Sequence, residues 1–343
     1  MISTLIPTLS WHRPRRIDTM IHLEVRLAAQ AVARIAVLIG FSAMLICKSM
    51  SIAHAQDVAA PFMSSYETED LGAGLYAFRA GVERSFFLVS EEGVVVIDPL
   101  NVEAAQALKK EISRITDQPV RYVAYSNSFF ERSSGGQIFK DDGAQFVAQE
   151  KCAENLLATP RTDVVMPDIT FGDSHRIVLG DQTLEFHYFG PSYGNCFTVM
   201  VARPANVMLF SNIVSPPKAS LPSDPTLANY SLHTLLAFFK AVEDFAAEND
   251  VERVAGGHVS IDRGDDGTFV VLSATAPISL IAEQRAFWET LLGAVKAQYD
   301  QGVMAQIIPK RVDMDQFAEY AGYDKRSLQI MTRRVYSLYR IGR

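Results

Sequence analysis

The chain alternates short apolar runs with turn residues before it turns helical. Leu71–Phe78, Ser85–Val89 and Gly93–Asp98 are rich in β-branched and aromatic residues and are separated by Gly or Glu-Glu-Gly turns, so each reads as a strand. Val94-Val95-Val96-Ile97 is apolar throughout, as a strand buried on both faces should be. The period then changes. Apolar residues at 102, 105, 108, 112 and 115 predict a helix over Val102–Ile115. Val120–Tyr125 and Gly143–Ala148 read as further strands, with a helix near Glu150–Leu157. The second half repeats the idea with more β character: His175–Leu179, Thr183–Phe189, Cys196–Val201 and Val207–Ser211. An apolar helix covers about Leu232–Ala247, and a strand-like Val251–Ala255 ends in Gly256-Gly257-His258. Beyond the turn Asp265-Asp266-Gly267, Leu280–Gln301 and Lys325–Ile341 are helical in pattern. This order predicts mixed α/β layers, with a main domain over 66–275 and a helical C-terminal extension over 276–343.

Composition bounds the partners. With 48% hydrophobic and 21% charged residues, the 343-residue chain is neither disordered nor a disulfide-dense miniprotein. Its net charge of −7 offers no electrostatic footprint to a phosphate backbone, so nucleic acid is not expected as a partner. The first 55 residues run the other way, with six bases against two acids. A basic flank precedes the apolar run Ile35–Cys47, too short to span a bilayer but suited to a signal-peptide core. Ala53-His54-Ala55 follows as an A-x-A cleavage pattern, making Gln56 the expected mature N-terminus. Residues 1–55 are therefore expected to be a signal peptide, 56–65 a linker, and the product periplasmic or secreted, with no stable membrane anchor after cleavage. The long basic flank leaves Met20 as an alternative start, and the bulky Ile46 before Cys47 argues against lipidation.

Cleavage leaves Cys152 and Cys196. An oxidising compartment permits them to pair, but spacing does not show that they meet, and two separate buried thiols are the expectation.

Three segments carry a family resemblance. The first is Val96-Ile97-Asp98-Pro99, followed by a helix and a strand that enters Asn127-Ser128-Phe129-Phe130-Glu131-Arg132-Ser133-Ser134-Gly135-Gly136. The second is Phe189-Gly190-Pro191-Ser192-Tyr193-Gly194-Asn195 before a strand, and the third joins Val207–Asn212 to Ala255-Gly256-Gly257-His258. In order and spacing the chain resembles the metallo-β-lactamase-fold superfamily over essentially all of 66–262. The resemblance implies a four-layer αββα sandwich and a hydrolase ancestry acting on β-lactams, thioesters, lactones or related esters. It also implies an H-x-H-x-D-H run before the Gly-Gly pair, with a further His, a bridging Asp and a last His completing two zinc sites. Zinc there would lower the pKa of bound water and supply hydroxide.

The ligand positions depart from that pattern. Anchored on Gly135-Gly136, the three His positions are Ser128, Phe130 and Ser133, and the Asp position is Arg132. The next His falls on Pro191 or a deletion, and the bridging Asp on Asn212. Only His258 keeps a residue type that binds zinc well. Hydroxyls and a phenyl ring are poor ligands, and an Arg repels the cation. The chain reads as a degenerate member without the dinuclear site. No cofactor is expected, and zinc only through a rebuilt site that includes His258, to which His187 could swing.

Two readings of the remaining residues stay open. In one, Ser128, Glu131, Arg132, Ser133, Tyr193, Asn195, Asn212 and His258 line a small-molecule pocket, with Arg132 taking an anionic group. In the other, the charges are solvated and the Ser and Asn residues satisfy loop backbone. Metal-free hydrolysis would need Ser128 or Ser133 as nucleophile and His258 as base, although no G-x-S-x-G elbow presents a serine. Asp98 is expected to brace the 127–136 loop. Phe129-Phe130 reads as apolar filling of the vacated metal cavity. The predicted function is therefore exported binding of a small molecule or a periplasmic protein partner without zinc catalysis; the alternative is a hydrolase using a rebuilt metal site or a Ser/His pair.

Overall fold

The computed structural model describes residues 65–264 and 268–342. The expected signal peptide and all but the last residue of the linker lie outside the described residues, as does the Asp265–Gly267 turn. Strands β1 (Tyr66–Gly72), β2 (Leu75–Ala80), β3 (Glu83–Ser90), β4 (Gly93–Ile97), β5 (Val120–Ala124), β6 (Gln145–Gln149) and β7 (Ile169–Phe171) form one sheet in sequence order. The β1–β4 meander is antiparallel, while β4 through β7 run parallel. A second sheet contains β8 (Ser174–Leu179), β9 (Gln182–His187), β10 (Val199–Arg203), β11 (Val207–Phe210), β12 (Arg253–Gly256) and β15 (Thr275–Pro277), in the order β15-β12-β11-β10-β9-β8. A separate hairpin pairs β13 (Ile261–Arg263) with β14 (Phe269–Val271).

Period-2 alternation stacks the layers. Along β4, Val95 and Ile97 face the second sheet, while Val94 and Val96 face the outer helices. Along β10, Met200 and Ala202 meet that same inter-sheet core, while Val199 and Val201 face outward on the other side. The first outer layer holds α1 (Val102–Ile115) and α4 (Glu150–Ala158). The second holds α5 (Leu235–Glu248), α6 (Leu280–Asp300) and α8 (Lys325–Ile341). The result is the αββα sandwich. The continuous apolar run in β4 is thereby explained, because helices cover one face and the other sheet covers the opposite face. Short helices α2 (Phe130–Ser133), α3 (Gln137–Lys140) and α7 (Ile308–Arg311) fill loops.

Two expectations change. The run Leu71–Phe78 is two strands, because Gly72, Ala73 and Gly74 all take positive φ and turn the chain inside it. Cys152 and Cys196 are not separate thiols: they form a disulfide, Sγ–Sγ 2.11 Å and Cα–Cα 5.2 Å, pinning α4 to the loop before β10. The helical C-terminal extension packs onto the sandwich. Phe287, Trp288, Leu291, Met331 and Val335 join the core that also holds Phe197, Met208, Phe210 and Phe238, and the 275/276 boundary falls inside β15.

Candidate functional site

The C-terminal ends of β4, β5, β11 and β12 converge beside the start of β3. Two close backbone approaches make this possible. A Cβ at Gly257 would lie 2.6 Å from the Ser211 carbonyl oxygen, and one at Gly135 would lie 2.3 Å from the backbone of Asn101. Only glycine lets the β12 end pass the β11 end so closely. Asp98, Leu100 and Ile213 all adopt positive φ in the same region, at 59°, 70° and 64°. A β-branched residue at such φ is a backbone outlier, of the kind that clusters where strand ends are shaped for a purpose.

Arg132 occupies the centre. Its side chain is fully buried and its guanidinium is partnered by the protein. Nη1 donates to the carbonyl oxygens of Arg84 (3.2 Å) and Gly257 (3.3 Å), and Nη2 donates to that of Ser211 (2.7 Å). Nη2 is also 2.5 Å from Glu83 Oε2. One planar fork thus ties β3, β11 and β12 together.

His258 completes the arrangement. Its Nε2 receives Asn212 Nδ2 at 2.8 Å and lies 3.2 Å from Arg132 Nη2. Arg132 Nη2 lies over the ring, 3.4 Å from Nδ1 as well, so the assignment rests on Asn212, whose amide donates and leaves the lone pair on Nε2. That leaves the proton on Nδ1, which lies 3.1 Å from Glu83 Oε2. Asn212 in turn accepts from Asn127 Nδ2 at 2.8 Å, and Asn127 Oδ1 accepts from the Phe129 N–H at 2.9 Å. Burial pushes the Glu83 carboxyl up, but the His258 hydrogen bond and the Arg132 charge outweigh it and hold the carboxyl below its ordinary value. Arg84 backs the loop from outside, donating to the carbonyls of His258 (3.0 Å) and Leu272 (2.8 Å). Burial lowers its pKa to about 10.

Asp98 lies below. Its carboxylate accepts from the Ser126 N–H (2.8 Å), the Ser126 hydroxyl (2.7 Å) and the Ser211 hydroxyl, so it joins the ends of β5 and β11. Complete burial pushes this carboxyl up, against the pull of Arg132 and of the three donors.

The other expected pocket residues separate into two groups. Glu131, Tyr193 and His258 line a cleft of about 710 Å³ beside this centre, and Asn212 is buried and bonds His258 and Glu131. Ser128 and Asn195 lie on the disulfide side, where both bond the Asn155 side chain, at 3.1 and 2.6 Å. Ser133 is buried and its hydroxyl donates to the Phe129 carbonyl. Neither serine bonds His258 among the described residues, so the Ser/His pair is not assembled. Arg132 cannot serve as an exposed anion receptor, because its side chain is fully buried and both Nη groups face carbonyls and Glu83. His187 stays apart: its ring packs 4.2 Å from that of Phe245 and its Nε2 is 3.8 Å from Glu185. Phe129 packs edge-on to Tyr193, whereas Phe130 is partly exposed beneath the Arg161 guanidinium and fills no cavity.

Sequence reasoning missed Glu83, the residue that faces both Arg132 and His258. A charged Glu-Arg pair opening the apolar strand Ser85–Val89 was the available signal. It also missed the far wall, where Gln284, Ala321, Gly322 and Ser327 of the C-terminal helical region line the cleft.

These residues do not make a zinc-binding set. Among the described residues no group of three His, Cys, Asp or Glu is gathered closely enough to hold a metal ion. The one imidazole lone pair at the centre points at the Asn212 amide, beside the Arg132 guanidinium, and a divalent cation there would meet a fixed positive charge.

With two facing sheets, helices outside both, and a cleft at the strand ends, the chain has the metallo-β-lactamase fold. The metallo-β-lactamase from Pontibacter korlensis superposes with a TM-score of 0.55 at 15% identity, over 66% of this chain and 99% of that one. DIM-1 metallo-β-lactamase gives 0.54 at 13%, over 66% and 98%. DIM-1 exposed to ceftazidime gives 0.54 at 12%, over the same shares. No protein-family model matches the sequence, and no curated protein matches it.

Proposed function

We propose that this chain is an exported member of the metallo-β-lactamase-fold superfamily that binds a small molecule in the cleft beside Arg132 without zinc catalysis. One observation carries the reading: a buried guanidinium sits against the His258 ring and is itself held by Glu83 and three carbonyls. The cation that a metal would supply is built into the chain. The cleft has the size of a small-molecule site and is lined by a mixture of apolar and polar groups. Export rests on the basic flank, apolar run and A-x-A pattern of residues 1–55. The Cys152–Cys196 disulfide suits an oxidising compartment. Edman sequencing of the exported product is expected to begin at Gln56.

The hydrolase reading is tested directly. Wild-type chain and His258→Ala are assayed with ester, thioester, lactone and β-lactam substrates. Neither is expected to exceed the buffer rate. Turnover by the wild type that disappears in His258→Ala would overturn the proposal.

A further inference from the structure

Helix α8 runs against the charge of its chain. From Lys325 to Ile341 it holds five bases and no acid, in a chain whose net charge is −7. Lys325 is paired with Asp315 at 2.7 Å. Arg326, Arg333 and Arg340 are exposed and recur at every seventh position. That spacing turns each by only about 20° from the last and sets them about 10 Å apart along the axis. They form one straight stripe, on the side away from the buried Leu328, Met331, Thr332 and Val335. Arg333 and Arg340 make no ion pair or side-chain hydrogen bond among the described residues, and Arg326 is answered only by the field of the capping carboxylate Asp324. The helix dipole favours Arg340 in the last turn but disfavours Arg326 in the first, so it does not account for the stripe.

An independent observation lies at the far end of the helix. Arg333 and Arg340 wall a groove of about 540 Å³ together with Ala305, Tyr336 and Ile341. Ile341 is 62% exposed, and Met304, next to Ala305 in the chain, is 63% exposed. Apolar side chains of this size gain free energy when a partner removes them from water. The combination matches the boundary between lipid headgroups and acyl chains. Arginines meet phosphates there, a tyrosine ring sits at headgroup level, and aliphatic side chains enter the hydrocarbon.

We propose that α8 and Met304 dock this chain, peripherally and reversibly, on a lipid surface bearing anionic headgroups. A straight row of bases suits a flat array of phosphates. A polyanion in solution would use the arginines and leave Met304 and Ile341 in water. The acidic net charge does not oppose docking, because at physiological salt charges farther than about 8 Å from the bilayer are largely screened. The local sign of α8 therefore decides. The inference goes beyond the binding cleft and does not depend on what that cleft holds.

The test is flotation of the mature chain (56–343) with vesicles of phosphatidylcholine alone and of an equal mixture with phosphatidylglycerol. The wild type is expected to float with the mixed vesicles only, and to be released as salt is raised above the physiological level. Arg333→Gln/Arg340→Gln should lower the partition coefficient about ten-fold or more. Arg333→Lys/Arg340→Lys should keep most of it, since a headgroup array reads charge more than the planar fork. Met304→Ser/Ile341→Ser should lower it several-fold. All these positions are exposed, and the thermal midpoint checks that each variant is folded. No flotation with mixed vesicles at physiological salt, equal flotation with phosphatidylcholine alone, or partition indifferent to Arg333→Gln/Arg340→Gln would each overturn the inference. Partition unmoved by Met304→Ser/Ile341→Ser, with inorganic polyphosphate binding as tightly as the vesicles, would make the partner a soluble polyanion and overturn it too.

Discussion

Removing the Arg132 fork would leave Glu83 half-buried against an imidazole without its cation, and would strip the Arg84, Ser211 and Gly257 carbonyls of a side-chain donor, although Gly257 keeps the Arg84 N–H. Breaking a buried pair from one side is far more costly than the pair is worth, so Arg132→Met is expected to cost about 3–5 kcal/mol in urea unfolding. Arg132→Lys should recover only part of this, because an ammonium cannot reach the three carbonyls from one plane. An unchanged urea midpoint in Arg132→Met would show that the guanidinium does not tie the strand ends. Glu83 gives a pH signature. Its carboxyl is held below the ordinary value in the folded chain, so its stabilisation is present above the unfolded carboxyl's pKa, about 4.3, and is lost as pH falls through the folded value. Glu83→Gln should flatten the acidic limb of stability against pH between those two values. An identical limb in wild type and variant would contradict the assignment. The substitutions at the ligand positions, Arg132 included, were legible in the chain. Arg132's partners were not, because Glu83 and His258 are 175 residues apart in sequence and meet only through the pairing of the strand ends.

At the scale of elements, periodicity located most of the sandwich. Val102–Ile115 and Lys325–Ile341 coincide with α1 and α8, and the runs at 93–98, 120–125 and 175–179 with β4, β5 and β8. What periodicity missed was set by chemistry other than burial. The β1–β2 turn sits inside an apolar run because its glycines, not polar residues, make the bend. Strands β7, β13, β14 and β15 have three residues each, too few to display a period. The disulfide was invisible for a related reason. Spacing of 44 residues says nothing about distance until α4 packs beside the loop before β10. Closing a loop of that length should stabilise the chain by about 4 kcal/mol through the unfolded state, a figure that depends on the chain-entropy account. Urea unfolding with and without reductant, and of a Cys152→Ala/Cys196→Ala double variant, measures it. A shift below about 1 kcal/mol would show that the bridge closes a loop already held by packing.

On the scale of the whole molecule, the C-terminal helices belong to the sandwich in two ways. They bury Trp288 and Phe287 against the second sheet's outer face, and they give the cleft its far wall. A chain ending at residue 275 is therefore expected to expose that core, bind a hydrophobic dye and lose cooperative unfolding. A sharp melt by the truncated chain would instead make 276–343 a separable extension. The central claim is that Arg132 stands where a metal would, and zinc content tests it most directly. The mature chain, purified with zinc supplied and then dialysed, is expected to hold less than about a tenth of a zinc per molecule by elemental analysis, with or without His258→Ala. About one zinc per chain, lost on His258→Ala, would contradict the account and mean that ligands had been recruited around the guanidinium.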